Sequence, residues 1–381
     1  MRIAHVTDFY LPRLGGIEMH VSDLATRQAA AGHDVTVVTA SPSQGTRDTG
    51  VPVLRLTDRL RHPRALHPWA PFVGARALLQ GEYDVVHVHV GIGTPTAFWT
   101  ALRCVRAGIP TVVTVHSLWA WAHPIFVTLN AIAGFSRQPI RWTAVSEAAA
   151  EPVRRVVRSG GTVTVLPNGI DPERWRVEAV PRPSDEVVLA AVMRLAVRKR
   201  PVQLLHMLRA VRAQVPADVR LRAVVVGEGP ERAKLERYLA RHAMADWVSL
   251  PGRQTRTQIR ELYRRADVFI APADLESFGI AALEARCAGV PVVAKAASGI
   301  REFVGDGRDG LLVEDDAAMV AAIAGLCREP ELRAALAGHA GTEPSPVTWT
   351  STLALTEAAY REAAVLVGRP LPVIPPIEVA S

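Results

Sequence analysis

Cysteine is nearly absent from this sequence. Three stand in 381 residues, Cys104, Cys287 and Cys327, far apart and odd in number. That rules out a disulfide framework and a zinc-ligand pattern, and predicts a reduced, cytoplasmic protein. Long apolar runs are also missing. No uncharged apolar stretch approaches the ~18 residues needed to cross a bilayer. The opening MRIAHVTDFY reads as a buried strand, with too short an apolar stretch for a signal peptide. The phosphate-binding pattern G-x-G-x-x-G is absent, so the glycines of LGGIEMH (14–20) are no dinucleotide fingerprint. Aromatics make up only 6% of the chain, and its basic residues are dispersed among acids. With no stacking platform and no nucleic-acid motif, the basic charge alone does not make a nucleic-acid binder.

Lysine is scarce as well. Three of the 44 basic residues are lysine (Lys199, Lys234, Lys295) and the other 41 are arginine. A lysine kept against that bias marks a place that wants a compact point charge rather than a planar fork. The net charge of +7 and a pI near 9.8 suit phosphorylated substrates, polyanions or an anionic membrane surface.

The hydrophobic fraction of 49% is enough to fill real cores, and the length suits two domains. Short apolar runs alternate with longer periodic ones. Strands are predicted at 2–8, 34–40, 51–56, 84–90, 110–116, 142–146 and 163–171, with a helix over 18–32 ending at Gly32. A second series has strands at 187–195, 220–230, 247–252, 267–272 and 290–295. Such alternation means parallel sheets covered by helices on both faces. The expected organisation is an acceptor-binding domain over 1–171, a polar linker over 172–185, and a nucleotide-sugar-binding domain over 186–347. A C-terminal helix over 348–366 would pack back on the first domain, followed by a Pro-rich tail over 367–381.

The stretch ESFGIAALEARCAGVPVVA (276–294) carries two acids eight residues apart, Glu276 and Glu284, around a Ser-Phe-Gly step. Gly279 lets backbone approach a ligand closely, and the helix start behind it offers unpaired N–H groups to an anion. A surface helix with two solvated glutamates is the plain alternative for this stretch alone. Other segments change the balance: LGGIEMHVSDLA (14–25), TVHS (114–117), AVSEAAA (144–150), VLPNGID (165–171), MRLAVRK (193–199), VVGEGPERAKLE (225–236) and SGIREFVGDGRDGLLV (298–313), followed by a late helical pattern over 348–363. In this order the set resembles the family-four retaining glycosyltransferases, over nearly the whole chain outside the tail.

The resemblance implies a GT-B fold, with two doubly wound, Rossmann-like parallel-sheet domains facing a cleft. It implies transfer of a sugar from a nucleotide-diphosphate donor to an acceptor hydroxyl with retained configuration, needing neither cofactor nor metal. Carried over by residue, Arg194 and Lys199 neutralise the donor diphosphate. His116 and Glu276 meet the donor sugar. The amides of Phe278, Gly279 and Ile280 hold phosphate, with Gly16 approaching it from the first domain. Glu284 takes the ribose hydroxyls, and Arg253 belongs to the turn that cups the base. Gly15, Glu18, Asp8 and Tyr10 fall on the acceptor side. The acceptor itself is open: a small molecule, a glycan or a lipid-linked molecule.

The chain departs from the family pattern at Met193, Ser117 and Arg301. The segment HSLWAWAH (116–123) is similar to members that transfer N-acetylglucosamine to inositol lipids, which favours a UDP-sugar over GDP-mannose. Basic stretches at 54–71, with Trp69, and at 152–159 suit peripheral contact with the anionic inner face of a membrane, though a solvated basic face is the stronger explanation of them. His87 and His89 alternate in a strand, with nothing near them in sequence to complete a metal set. An epimerase of sugar nucleotides, or a non-catalytic partner protein on the same fold, is the alternative reading.

Overall fold

The computed structural model describes residues 1–372 apart from 14, 44–49, 60–68, 121, 158–161, 182 and 184. Most of the basic stretch at 54–71, Arg158 and the end of the tail therefore lie outside the described residues. The chain divides into two compact units. One comprises Met1–Gly169 with Trp349–Ser381, the other Ile170–Thr348.

The first unit holds seven parallel strands: β1 Arg2–Thr7, β2 Asp34–Thr39, β3 Val53–Arg55, β4 Val85–Val90, β5 Thr111–Val115, β6 Arg141–Ala144 and β7 Val163–Val165. Their spatial order is β3-β2-β1-β4-β5-β6-β7. Every residue of β4 and β5 is buried, as expected for strands covered on both faces by helices. The helix Gly16–Ala30 buries Val21, Leu24, Ala25 and Gln28, a stripe at helical spacing. Its core partners include Ala359, Tyr360 and Ala363 of the last helix, Trp349–Val367. That helix starts against Gly169, where an added Cβ would come within 2.5 Å of the Trp349 ring.

The second unit holds six parallel strands: β8 Glu186–Val192, β9 Arg220–Val226, β10 Val248–Ser249, β11 Val268–Ala271, β12 Val292–Lys295 and β13 Gly310–Val313. Their order is β10-β9-β8-β11-β12-β13. Each sheet runs outward from its first strand on one side and then restarts on the other. This is the doubly wound arrangement the alternating pattern predicts, and the two units together make a GT-B fold. Twelve strands answer to apolar runs in the sequence. The run at β13 does not stand out as a strand in the sequence: it is an edge, with three of its four residues only half-buried.

Candidate functional site

In a doubly wound sheet, ligands bind where the strand order reverses, at the carboxyl ends of the two strands flanking that point. In the second unit these are β8 and β11, paired in parallel with Val268 opposite Leu189. The chain leaving β8 is clamped: Met193 N–H donates to the Val226 carbonyl at 3.0 Å and Leu195 N–H to the Glu228 carbonyl at 2.9 Å. Only glycine fits behind it. A Cβ at Gly227 would lie 1.8 Å from the Met193 carbonyl oxygen, and one at Gly229 would lie 2.3 Å from that of Leu195. Arg194 stands exposed between the two clamped residues. A single tight turn, Val197–Lys199, then presents Lys199.

The ammonium of Lys199 donates to the carboxylate of Glu276, on the loop that leaves β11. Both side chains are largely buried, at 22% and 15% exposure. Glu276 is itself fixed, its carbonyl accepting from Gly299 N–H at 2.9 Å. Gly279 adopts φ +91 as the residue capping the helix Ile280–Cys287, and a Cβ there would lie 2.6 Å from Ile300. Phe278 turns inward against Phe303, with ring centres 5.4 Å apart. The first amides of that helix have no carbonyl a turn earlier to bond, which leaves them for an anion. Glu284 is buried further along the helix. Burial and the Glu284 charge hold the Tyr263 phenol well above its usual pKa. Arg253 is exposed beside Gly252, whose carbonyl accepts from Gly227 N–H at 2.9 Å and ties that turn to the β9 loop.

Four participants in this region, Arg200, Asp274, Lys295 and Asp316, escaped the sequence reading. Arg200, next to Lys199, sits at φ +56, a left-handed conformation unusual for a side chain with a Cβ. Its guanidinium makes a two-pronged contact with Asp316 at 2.8 and 2.6 Å and also bonds Asp274 at 3.0 Å. Lys295, buried at the end of β12, donates to Asp316 at 2.7 Å. The hydrogen bond from Arg200, above all, lowers the Asp316 pKa to about 2. The signal was there in part, since Lys295 is one of the lysines kept in an arginine-rich chain.

In the first unit, Gly15 and Gly16 open the helix Gly16–Ala30. Glu18 folds back over Gly15, where a Cβ would strike its Oε2 at 2.4 Å, and pairs with Arg13 at 3.1 Å. Asp8 and Tyr10, the other residues placed on the acceptor side, are both buried. Asp8 is fully buried, and its two carboxylate oxygens accept from the Thr96 and Ala97 amides at 3.1 and 2.8 Å. It thus caps the helix Pro95–Arg106. Tyr10 is buried in the core of the first unit, its N–H donating to the Ser41 hydroxyl at 2.9 Å. Their sequence position beside the glycine loop did not reveal their burial.

His116 follows β5 and is buried, its Nε2 lying 3.0 Å from His89 Nδ1. The fold supplies the neighbour that sequence spacing could not show: His5 in β1 stands opposite His87 in β4. Ring nitrogens of His5, His87 and His89 all lie within 4.8 Å of one another. A metal fits this trio poorly, because both ring nitrogens of each histidine are matched to a protein group within 3.0 Å. Burial drives these imidazoles to the neutral form, lowering His5 to about 4 and His116 to about 3.

Comparison with known proteins agrees with this architecture. Residues 173–341 match the family model described as Glycosyl transferases group 1, and residues 14–174 match Glycosyltransferase Family 4. The chain is 31% identical over 400 residues to a D-inositol 3-phosphate glycosyltransferase of Geodermatophilus obscurus, covering 92% of this chain and 85% of the relative. It is 28% identical over 341 residues to a phosphatidylinositol N-acetylglucosaminyltransferase protein of Arabidopsis thaliana, covering 85% of this chain and 73% of that one. The crystal structure of Anabaena HepE in complex with UDP and glucose superposes with a TM-score of 0.73 at 20% identity, covering 94% of this chain and 98% of that one. The two family matches abut within the chain, and a relative above 30% identity spans nearly all of it. The chain therefore belongs to the family-4 glycosyltransferases, enzymes that take sugars from nucleotide donors.

Proposed function

We propose that the protein is a retaining, metal-independent glycosyltransferase that moves a sugar from a UDP-sugar, UDP-N-acetylglucosamine ahead of GDP-mannose, onto an acceptor hydroxyl. One observation carries this reading. Lys199 and Glu276, 77 residues apart, meet at the carboxyl ends of β8 and β11, close to the glycine-capped start of the helix Ile280–Cys287. Cleaving the donor's glycosidic C–O bond leaves a diphosphate with added negative charge. Lys199, Arg194 and the amides at Phe278, Gly279 and Ile280 are the groups assigned to receive it. One such preorganised donor contributes roughly 3–4 kcal/mol to the transition state. Glu276 is assigned to the sugar hydroxyls, Glu284 to the ribose and Arg253 to the base.

In this scheme the acceptor oxygen forms its bond to the sugar on the face the diphosphate leaves, and its proton passes to the departing phosphate oxygen. No side-chain nucleophile is required. Gly15, Glu18, Asp8 and Tyr10 are assigned to the acceptor side. The preference for UDP rests on the segment 116–123, and the names of the Arabidopsis and Anabaena proteins support it. A thermal-shift screen of UDP, GDP and ADP with their sugars tests it, since a ligand that binds only the folded state raises the melting temperature. UDP compounds should give the largest shift; a larger shift with GDP-mannose overturns the choice of base. An inverted product by NMR, or activity abolished by EDTA and restored by a divalent ion, would refute the mechanism. Formation of an epimer from donor alone would favour the epimerase reading.

Contact with an anionic bilayer is part of the proposal. No helix among the described residues is long and apolar enough to cross a membrane. The helix Ala70–Gln80 nevertheless exposes Phe72 beside Trp69 and Trp99, with ring centres 5.7 and 5.2 Å apart, and Arg76 and Arg103 line the same shallow pocket. Aromatics flanked by cations suit a headgroup layer. Sedimentation with vesicles should retain the protein only when anionic lipid is included, and equal retention on neutral vesicles would sink the idea.

A further inference from the structure

Four neighbouring strands of the second sheet, β8, β11, β12 and β13, are tied together beyond their carboxyl ends by one cluster of side chains. Arg200 follows β8, Asp274 follows β11, Lys295 ends β12, and Asp316 opens the helix Asp316–Arg328 after β13. The Arg200 guanidinium holds Asp316 with both prongs, at 2.8 and 2.6 Å. It also reaches Asp274 at 3.0 Å and the Pro272 carbonyl at 3.1 Å. The Lys295 ammonium donates to Asp316 at 2.7 Å, with Asp274 3.8 Å away. Two cations face two carboxylates, so the cluster as a whole is neutral. Lys295 is buried and Arg200 largely so. A two-pronged arginine within a network of charges can hold a geometry that a lone pair on an open surface cannot.

We propose that this cluster is a clasp that sets the spacing of Lys199 and Glu276 for sugar transfer, with Arg200 and Asp316 as its positioning residues. The inference rests on the role proposed above for that pair. Arg200 directly follows Lys199, and Asp274 lies just ahead of Glu276 on the same loop. In the structure the Lys199 ammonium is bonded to the Glu276 carboxylate. When each takes up its assigned partner, Lys199 turns to the diphosphate and Glu276 to the sugar hydroxyls. Their mutual bond cannot then be what keeps the two loops in register. The contacts from Arg200 to Asp274 and to the Pro272 carbonyl join the same two loops and have no need to part. The left-handed φ of +56 at Arg200, between the turn Val197–Lys199 and the helix Pro201–Gln214, accompanies this division: two adjacent cations go to different partners.

The rival idea is that Arg200 and Lys295 act on the diphosphate directly, by their charge. Their bonds to Asp316 speak against it, because both cations are committed to a carboxylate that offsets them. The two ideas also differ in sign. Arg200→Gly removes a positive charge, whereas Asp316→Asn removes a negative one. If charge at the diphosphate were what counted, the first change would weaken UDP binding and slow transfer, and the second would do the reverse. Either change opens a clasp, so both should slow transfer.

Steady-state kinetics and calorimetric titration with UDP, run on the full chain well below each variant's melting temperature, test this. Arg200→Gly, which suits the left-handed backbone, and Asp316→Asn should each lower kcat by roughly ten- to a hundredfold, the scale of a catalytic group misplaced by about 1 Å. UDP affinity should change less than kcat does. The double variant should be no slower than the slower single one, since a clasp already open cannot be opened again. Asp274→Asn, at the exposed edge of the cluster, should lower kcat in the same direction and keeps the test available if another variant fails to fold. Folded variants with a normal kcat would overturn the clasp. So would opposite changes from Arg200→Gly and Asp316→Asn, or losses that multiply in the double variant. A wild-type protein that takes sugar from no nucleotide donor would instead sink the functional reading, and the clasp with it.

Discussion

The ammonium of Lys199 is held by the carboxylate of Glu276, joining the loops that leave two neighbouring strands of the second sheet. The pair does two things at once. It keeps a positive charge poised at the switch point, and it ties down the approach to the helix behind Gly279. Removing the cation should therefore affect chemistry much more than folding. Lys199→Ala should lower kcat by about 10²–10³-fold, the loss typical of one preorganised charge donor. Its melting temperature should fall by only a few degrees. Steady-state kinetics beside a thermal melt separates the two, and a normal kcat would end the assignment.

Gly279 combines φ +91 with a neighbour, Ile300, that leaves no room for a Cβ. Gly279→Ala should destabilise the second unit by about 1–3 kcal/mol, from left-handed backbone strain and overpacking together. Ile300 is itself buried, so Ile300→Ala has its own cost, and the informative quantity is the Gly279→Ala penalty measured in the Ile300→Ala background, which should be smaller but not zero because the backbone cost stays. Chemical denaturation of the two single variants and the double variant checks this; a penalty that vanishes in that background would mean that the backbone conformation carries no cost.

Arg200 supports Lys199 from the adjacent position, in a left-handed conformation and bound to Asp316. Glycine tolerates that conformation and alanine does not. Both substitutions lose the ion pair, so Arg200→Gly should be more stable than Arg200→Ala by about 1 kcal/mol. The pH dependence follows from Asp316. Its pKa falls from 3.8 to about 2 on folding, mainly through the Arg200 hydrogen bond. The stabilisation is therefore complete above about pH 4 and is lost as pH falls toward 2. Asp316→Asn should flatten that part of the acid-unfolding curve.

Asp8 behaves in the opposite sense. Burial raises its pKa from 3.8 to about 6, against the lowering effect of the Ala97 and Thr96 amides. The unfolded chain ionises first, so stability declines as pH rises from about 4 to about 6. Asp8→Asn should remove that slope, and Asp8→Ala, which also removes the cap, should weaken the helix Pro95–Arg106 by about 1 kcal/mol. Unfolding midpoints across this window would reveal whether the slope belongs to Asp8.

The sequence by itself determined the classes of element and the order in which they come. Apolar runs marked twelve strands, and helical periodicity marked the helices between them, because both signals are local. It also showed that Lys199 was an unusual choice in a chain of arginines, and that Glu276 and Gly279 lay in a loop built for close approach. Tertiary structure decided which of these residues meet. Period-two alternation tells which face of β4 carries His87 and His89, but only the pairing of β1 with β4 and β5 brings His5, Thr114 and Thr143 beside them. Tyr360 joins that cluster from 332 residues beyond Gln28. Burial separated Asp8 and Tyr10 from the loop they adjoin in sequence, and the register of β8 with β11 set Lys199 against Glu276. Side-chain direction is a property of a few neighbouring residues, whereas strand order and packing depend on the whole chain burying its apolar surface at once.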